Sequence, residues 1–117
     1  MDIQELTELR KYSEIDILDY YDEPLIIKCK DEFDDECILM LVSHTLGKMD
    51  ERYIKFRPKE DDLSRYLNSE IDLLTLINRS DDYYMIYGRS IRKIDKIPRK
   101  YLPDEGYYNR RDRKSVV

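Results

Sequence analysis

Few residues in this chain could carry chemistry, and their spacing builds no known reactive site. One histidine, His44, and two cysteines, Cys29 and Cys37, are too few for the usual zinc ligand sets unless carboxylates complete them. His44 lies in the Ser43–Glu51 loop with no Ser or Cys nucleophile motif beside it, so it is assigned no role. With three glycines in the chain there is no Gly-rich phosphate loop, no dinucleotide fingerprint and no Gly-x-Ser-x-Gly elbow. The acidic run Asp31-Glu32-Phe33-Asp34-Asp35-Glu36 lacks the glycine and the alternate spacing of a calcium loop, and it reads as a solvated hairpin turn. Nothing singles out a pair for acid–base work among the 26 Asp and Glu residues. No catalytic residue, metal or cofactor is therefore expected, and the chain reads as a non-enzyme.

Charge is the more informative feature. Residues 1–36 hold thirteen acids against four basic residues, residues 37–88 nine against seven, and residues 89–117 four against ten, so the chain is polarised from acidic to basic along its length. An acidic first third packing near a basic last third would partly neutralise it. A sharper reading is that the basic segment and its tyrosines recruit a partner: Arg89, Arg92, Lys93 and Lys96, with Tyr84 and Tyr87, are the expected contact residues for another protein. This gives a protein-interaction or regulatory module, such as an accessory or inhibitor protein. The alternative is a nucleic-acid binder in which the basic segment 89–100 lies among Tyr83, Tyr84, Tyr87 and Tyr101 as stacking platforms, and the net charge of −5 opposes it.

A chain of 117 residues is one domain's worth, and its 40% charged residues, against about 25% in typical domains, imply a small core under a densely charged surface. Two cysteines, an acidic N-terminus and no long apolar run point to a cytoplasmic chain with no membrane contact. Ile3, Leu6 and Leu9 share a stripe of a short helix within residues 1–11. Alternation over about 14–21 predicts a strand that Asp22-Glu23-Pro24 ends. Leu25–Lys30 and Glu36–Thr45 read as a hairpin. With Asp31–Asp35 as its loop, Cys29 faces Cys37 as a reduced pair, and Leu25, Ile27 and Cys29 share a face with Cys37, Leu39 and Leu41. Apolar residues on both faces of 37–42 mark a central strand, and Arg52–Pro58 reads as a half-exposed one.

From residue 60 the period becomes helical, with Leu63, Tyr66, Leu67, Ile71, Leu74 and Ile77 as a core stripe. Asn68-Ser69 can split it, and Ser69 with Asp72 resembles a capping box, so one helix and two (60–68 and 70–78) fit equally. Residues 82–87 return to strand, 89–100 are extended, and the tail from Asn109 to Val117 is frayed. The expected fold is α+β: an antiparallel meander of about four strands under one or two short helices, then one or two further strands and an extended C-terminal tail, with 12–108 as the folded core.

Tyr20-Tyr21-Asp22-Glu23-Pro24-Leu25-Ile26-Ile27 with Cys29, Asp72-Leu73, Ile97-Pro98 and Leu102-Pro103-Asp104-Glu105 together resemble a small bacterial family described as a domain of unknown function. In that family a strand ending in Tyr-Asp-x-Pro-Leu enters a hairpin and the chain closes on a Leu-Pro-Asp-Glu segment. The resemblance covers about residues 12–108 and implies the same α+β fold, with no activity attached. The chain departs from the pattern in having no tryptophan near Tyr53 or in the closing segment.

Overall fold

Strand alternation and helical stripes are resolved into a single sheet covered on both faces. The computed structural model describes residues 3–21, 23–43 and 51–109. The fold is α+β, with six strands in the order β1 (Ser13–Tyr21), β2 (Glu23–Lys30), β3 (Glu36–Ser43), β4 (Arg52–Arg57), β5 (Asp81–Tyr87) and β6 (Ser90–Ile94), each antiparallel to the next. Three helices accompany them among the described residues: α1 (Ile3–Arg10), α2 (Glu60–Leu67) and α3 (Leu73–Asn78). Six strands thus form one meander, where about four with later additions were expected. His44 and Gly47 lie outside the described residues.

Apolar residues on both sides of β2, β3 and β4 require cover on both sides. Under α2 and α3, Leu18, Ile26, Ile38, Met40, Ile54 and Phe56 pack with Leu63, Tyr66, Leu73, Leu76 and Ile77. On the opposite face Leu6 of α1 packs with Ile27, Cys29, Cys37, Leu39, Tyr53 and Ile86. The expected β2–β3 register is the observed one, with Lys30 opposite Glu36 and Cys29 opposite Cys37. Both cysteines are free, with their sulfurs 3.5 Å apart. Leu25 departs from the expected face and packs toward α2 and α3. Register shifts in β1 between Ile17 and Asp19 and between Asp19 and Tyr20 lie opposite it, and strict alternation fails beside such bulges. Pro24 does not end the strand pair; it belongs to β2 and pairs with Tyr20.

Strand β4 is central rather than half-exposed, because Tyr53 and Lys55 are buried along with Ile54 and Phe56. Asp31 explains how a lysine is tolerated there. Its carboxylate accepts the Lys55 ammonium at 3.1 Å and the backbone N–H groups of Phe33 and Asp35 at 2.9 and 3.0 Å, which also closes the β2–β3 loop. The acidic run is therefore not wholly a solvated turn: Asp31 is buried, while Phe33 is 75% exposed.

The helical stripe splits into two helices. Asp72, rather than Ser69, caps α3 by accepting Thr75 N–H at 2.8 Å, and Ser69 takes a left-handed conformation (φ 61°) between the helices. The break resets the helical phase, so Leu73, Leu76 and Ile77 face the core and Leu74 does not.

The segment after β6 closes the molecule by crossing the α2/α3 face. Ile97 is buried in that core, residues Arg99–Tyr101 form a 3₁₀ turn, Gly106 N–H is accepted by Asp72, and Tyr107 O accepts Leu73 N–H. Asn109 is 2% exposed and donates to Leu67 O, while its own carbonyl accepts from Ser69. Asn109, expected in the frayed tail, is instead packed, because the Ser69 break offers polar groups that an asparagine can satisfy.

Candidate cationic hollow on the sheet

Strand parity decides which of the basic and aromatic residues meet. Along β5, Tyr83, Met85 and Tyr87 point toward the α2/α3 side, whereas Tyr84 and Ile86 point the other way; along β6, Arg92 and Ile94 share the first side, and Ile91 and Lys93 the second. Gly88, at φ +57°, supplies the left-handed residue that the two-residue β5–β6 turn needs.

On the first side, beyond the helices, Arg52, Met85, Tyr87, Ser90 and Arg92 form the floor of a hollow of about 520 Å³, and Pro98, Lys100 and Tyr101 of the closing segment form its wall. Arg52 lies over the Tyr87 ring at 4.8 Å and Lys100 over the Tyr101 ring at 4.9 Å. A hydrogen bond with the Tyr101 hydroxyl, outweighing desolvation and aided by Tyr87, holds Arg52 above its ordinary pKa. For Tyr101, desolvation resists ionisation, but hydrogen bonds with Arg52 and Lys100 prevail and lower its pKa. Among the described residues, no carboxylate lines the hollow or lies within ion-pair distance of Arg52, Arg92 or Lys100. Lys100 and Tyr101 also border a second hollow of about 240 Å³ whose other walls include Leu25, Met40, Val42, Leu73, Pro103 and Tyr107. Cationic and apolar surface are thus contiguous.

The opposite side has a different electrical character. A hollow of about 270 Å³ there is lined by Asp31, Glu32, Lys55, Arg57, Asp82 and Tyr84, among others, and Asp31, Lys55, Arg57 and Asp82 are held in ion pairs. Asp31 bridges Lys55, Arg57 bridges both Asp35 and Asp82, and Lys93 lies 3.7 Å from Asp82. Burial pushes the pKa of the Tyr12 hydroxyl up, and it has no hydrogen-bond partner among the described residues, while its ring sits 5.3 Å from the Lys55 ammonium.

Of the six expected contact residues, the structure brings together Arg92 and Tyr87. Tyr84 and Lys93 lie on the other side, the latter paired with Asp82, and Lys96 is exposed in the loop after β6. Arg89 sits in the β5–β6 turn, where its carbonyl accepts from Arg10 at 2.7 Å. Arg52 was missed because its role depends on its cross-strand pairing with Tyr87, which no local motif signals. Lys100 and Tyr101 stood only in the nucleic-acid reading, and their basic-aromatic adjacency after Ile97-Pro98 was the available signal. Among the described residues, no group of three or more His, Cys, Asp or Glu could hold a metal ion, and no helix is long and apolar enough to cross a membrane. Comparison with protein-family models, curated proteins and solved structures finds no match for this chain.

Proposed function

We propose that this chain is a non-enzymatic protein-interaction module that receives an acidic segment of a partner in the Arg52/Arg92/Lys100 hollow. The observation that carries the reading is the convergence of three cations without described counter-ions on two tyrosines, directly continuous with an apolar hollow. Like charges held together are costly until an anion joins them. A mixed cationic, aromatic and apolar patch matches the Arg, Tyr and Met content of protein interfaces. A phosphate backbone would use the cations and leave Leu25, Met40 and Val42 without a complement. It would also meet the field of residues 1–88, which carry a net −11.

The test is fluorescence anisotropy with a labelled peptide of alternating Glu and Leu, beside single-stranded and duplex DNA and RNA, at about 50 and 200 mM salt. Wild type should bind the peptide, Arg92→Glu/Lys100→Glu should not, and nucleic acids should bind no tighter than the nonspecific range of about 10⁻⁴ to 10⁻⁶ M. Submicromolar nucleic-acid binding with a steep salt slope would favour the stacking reading of Tyr87 and Tyr101. Peptide binding unaffected by the double substitution would move the site elsewhere.

A further inference from the structure

Both edges of the sheet are open among the described residues: β1 pairs only with β2, and β6 only with β5. An open edge presents unpaired N–H and C=O groups that template another strand. The two edges are opposite in charge. Strand β1 reads Ser-Glu-Ile-Asp-Ile-Leu-Asp-Tyr-Tyr, and β6 reads Ser-Ile-Arg-Lys-Ile.

Pairing also fixes the side on which each charge lies. Asp16 is opposite Lys28, which is opposite the α2/α3-side core residue Ile38, so Asp16 lies on that side; Ile17 is opposite Ile27 on the α1 side. In β6, Arg92 is opposite Met85 on the α2/α3 side and Ile91 is opposite Ile86 on the α1 side. Ile15 and Ile17, 44% and 43% exposed, form a half-bare apolar strip on the acidic edge. Glu14, bridged to Lys30 at 3.1 Å, still exposes 64% of its side chain.

Six successive antiparallel strands make β1 and β6 run in opposite directions. A second copy translated across the sheet therefore brings its β1 antiparallel to β6 of the first, with like faces aligned. Asp16 then falls on the side of Arg92, and Ile17 on the side of Ile91. We propose that a second copy of this chain docks its β1 edge on the β6 edge, with Asp16 meeting the Arg92 border of the hollow and Ile17 meeting Ile91; this goes beyond the reading of the hollow and uses only its outer rim. The contact is heterologous, so it propagates head to tail and does not stop at a symmetric dimer. Register shifts on either side of Asp16 and Ile17 confine regular pairing to a short stretch, so association is weak and concentration-dependent.

Sedimentation velocity on the whole chain tests this. The weight-average mass of wild type should rise with concentration and fall as salt goes from about 50 to 500 mM. Arg92→Glu/Lys93→Glu and Glu14→Lys/Asp16→Lys, each checked for folding by circular dichroism, should stay monomeric alone. Their equimolar mixture should associate again, because both mixed interfaces then join opposite charges. A synthetic peptide of residues 13–21, added to unmutated protein, should cap β6 edges and lower the mass. A wild type that is monomeric at every concentration, charge variants that associate like wild type, or a mixture that stays monomeric would each overturn the proposal. If the Glu-Leu peptide still binds in an Arg92- and Lys100-dependent way while wild type never self-associates, this inference fails and the reading of the hollow stands.

Discussion

Asp31→Asn separates the charge of the Asp31–Lys55 pair from the hydrogen bonds that shape the loop. Asparagine still offers an oxygen to the Phe33 and Asp35 N–H groups, so the loop keeps its acceptor, but Lys55, 7% exposed, loses its counter-ion. Breaking one side of a buried pair costs about 3–5 kcal/mol. The Tyr12 and Tyr84 rings, 5.3 and 5.5 Å from the ammonium, stay in place, and the pair borders a hollow that admits water. The expected loss is therefore at the low end, about 3 kcal/mol at neutral pH, read from urea unfolding. Lys55→Met should also destabilise, and the double variant should recover at least about 1 kcal/mol of the summed losses, since neither charge is then left alone. Acid gives a second readout. Burial disfavours ionised Asp31, but hydrogen bonds from Asp35, Lys55 and Phe33 outweigh it and lower its pKa. A lowered carboxyl pKa stabilises the fold above the ordinary aspartate value and ceases to do so as pH falls through the folded value. The gap between wild type and Asp31→Asn should thus be full at neutral pH and close only as pH falls below the ordinary aspartate value. A neutral-pH gap below about 1 kcal/mol, or one that persists in acid, would refute the account of Lys55 as an ion held by Asp31.

Two further outcomes follow from the packing. Leu76→Ala, at a side chain with no exposure under the sheet, should cost about 2–5 kcal/mol by chemical denaturation, whereas Leu74→Ala, outside both clusters, should cost less than about 1 kcal/mol. Contact with Cys29, then burial, push the Cys37 thiol up, so an aromatic disulfide reagent at neutral pH should find both thiols unreactive until denaturant unfolds the chain, and rapid labelling of native protein would contradict the packing.

The parts of the fold legible in the sequence are those in which one short-range rule decides. The β2–β3 register followed from a five-residue loop and a period of two, and it placed Cys29 against Cys37. Apolar residues on both faces of 37–42 marked a central strand, and β3 is one, its second face covered by Leu6 of α1. What escaped depended on partners distant in sequence. Lys55 alternates as a solvent-facing residue should, and its burial is made tolerable by the carboxylate of Asp31, 24 positions earlier, and by the Tyr12 and Tyr84 rings. The phase of α3 depended on a left-handed Ser69, and the burial of Asn109 depended on the polar groups that this break leaves open.

The candidate site shows the same division more sharply. The cluster Arg89, Arg92, Lys93 and Lys96 is a feature of composition, and composition does not know sides. Strand β6 sends Arg92 and Lys93 to opposite faces, where one enters a hollow with no described carboxylate and the other joins the ion pairs around Asp82. The hollow is completed by Arg52, some forty residues upstream of Arg92, which reaches Tyr87 only because β4 and β5 pair with those two residues opposite each other. Since the same lattice of pairings assigns Asp16 and Ile17 to opposite faces of β1, the charge that looked like a gradient along the chain becomes a gradient across the sheet, from an acidic outer strand to a basic one. The physical quantity on which the proposed recognition rests is this cross-sheet field. It arises from strand order and parity, which a linear charge count contains but cannot display.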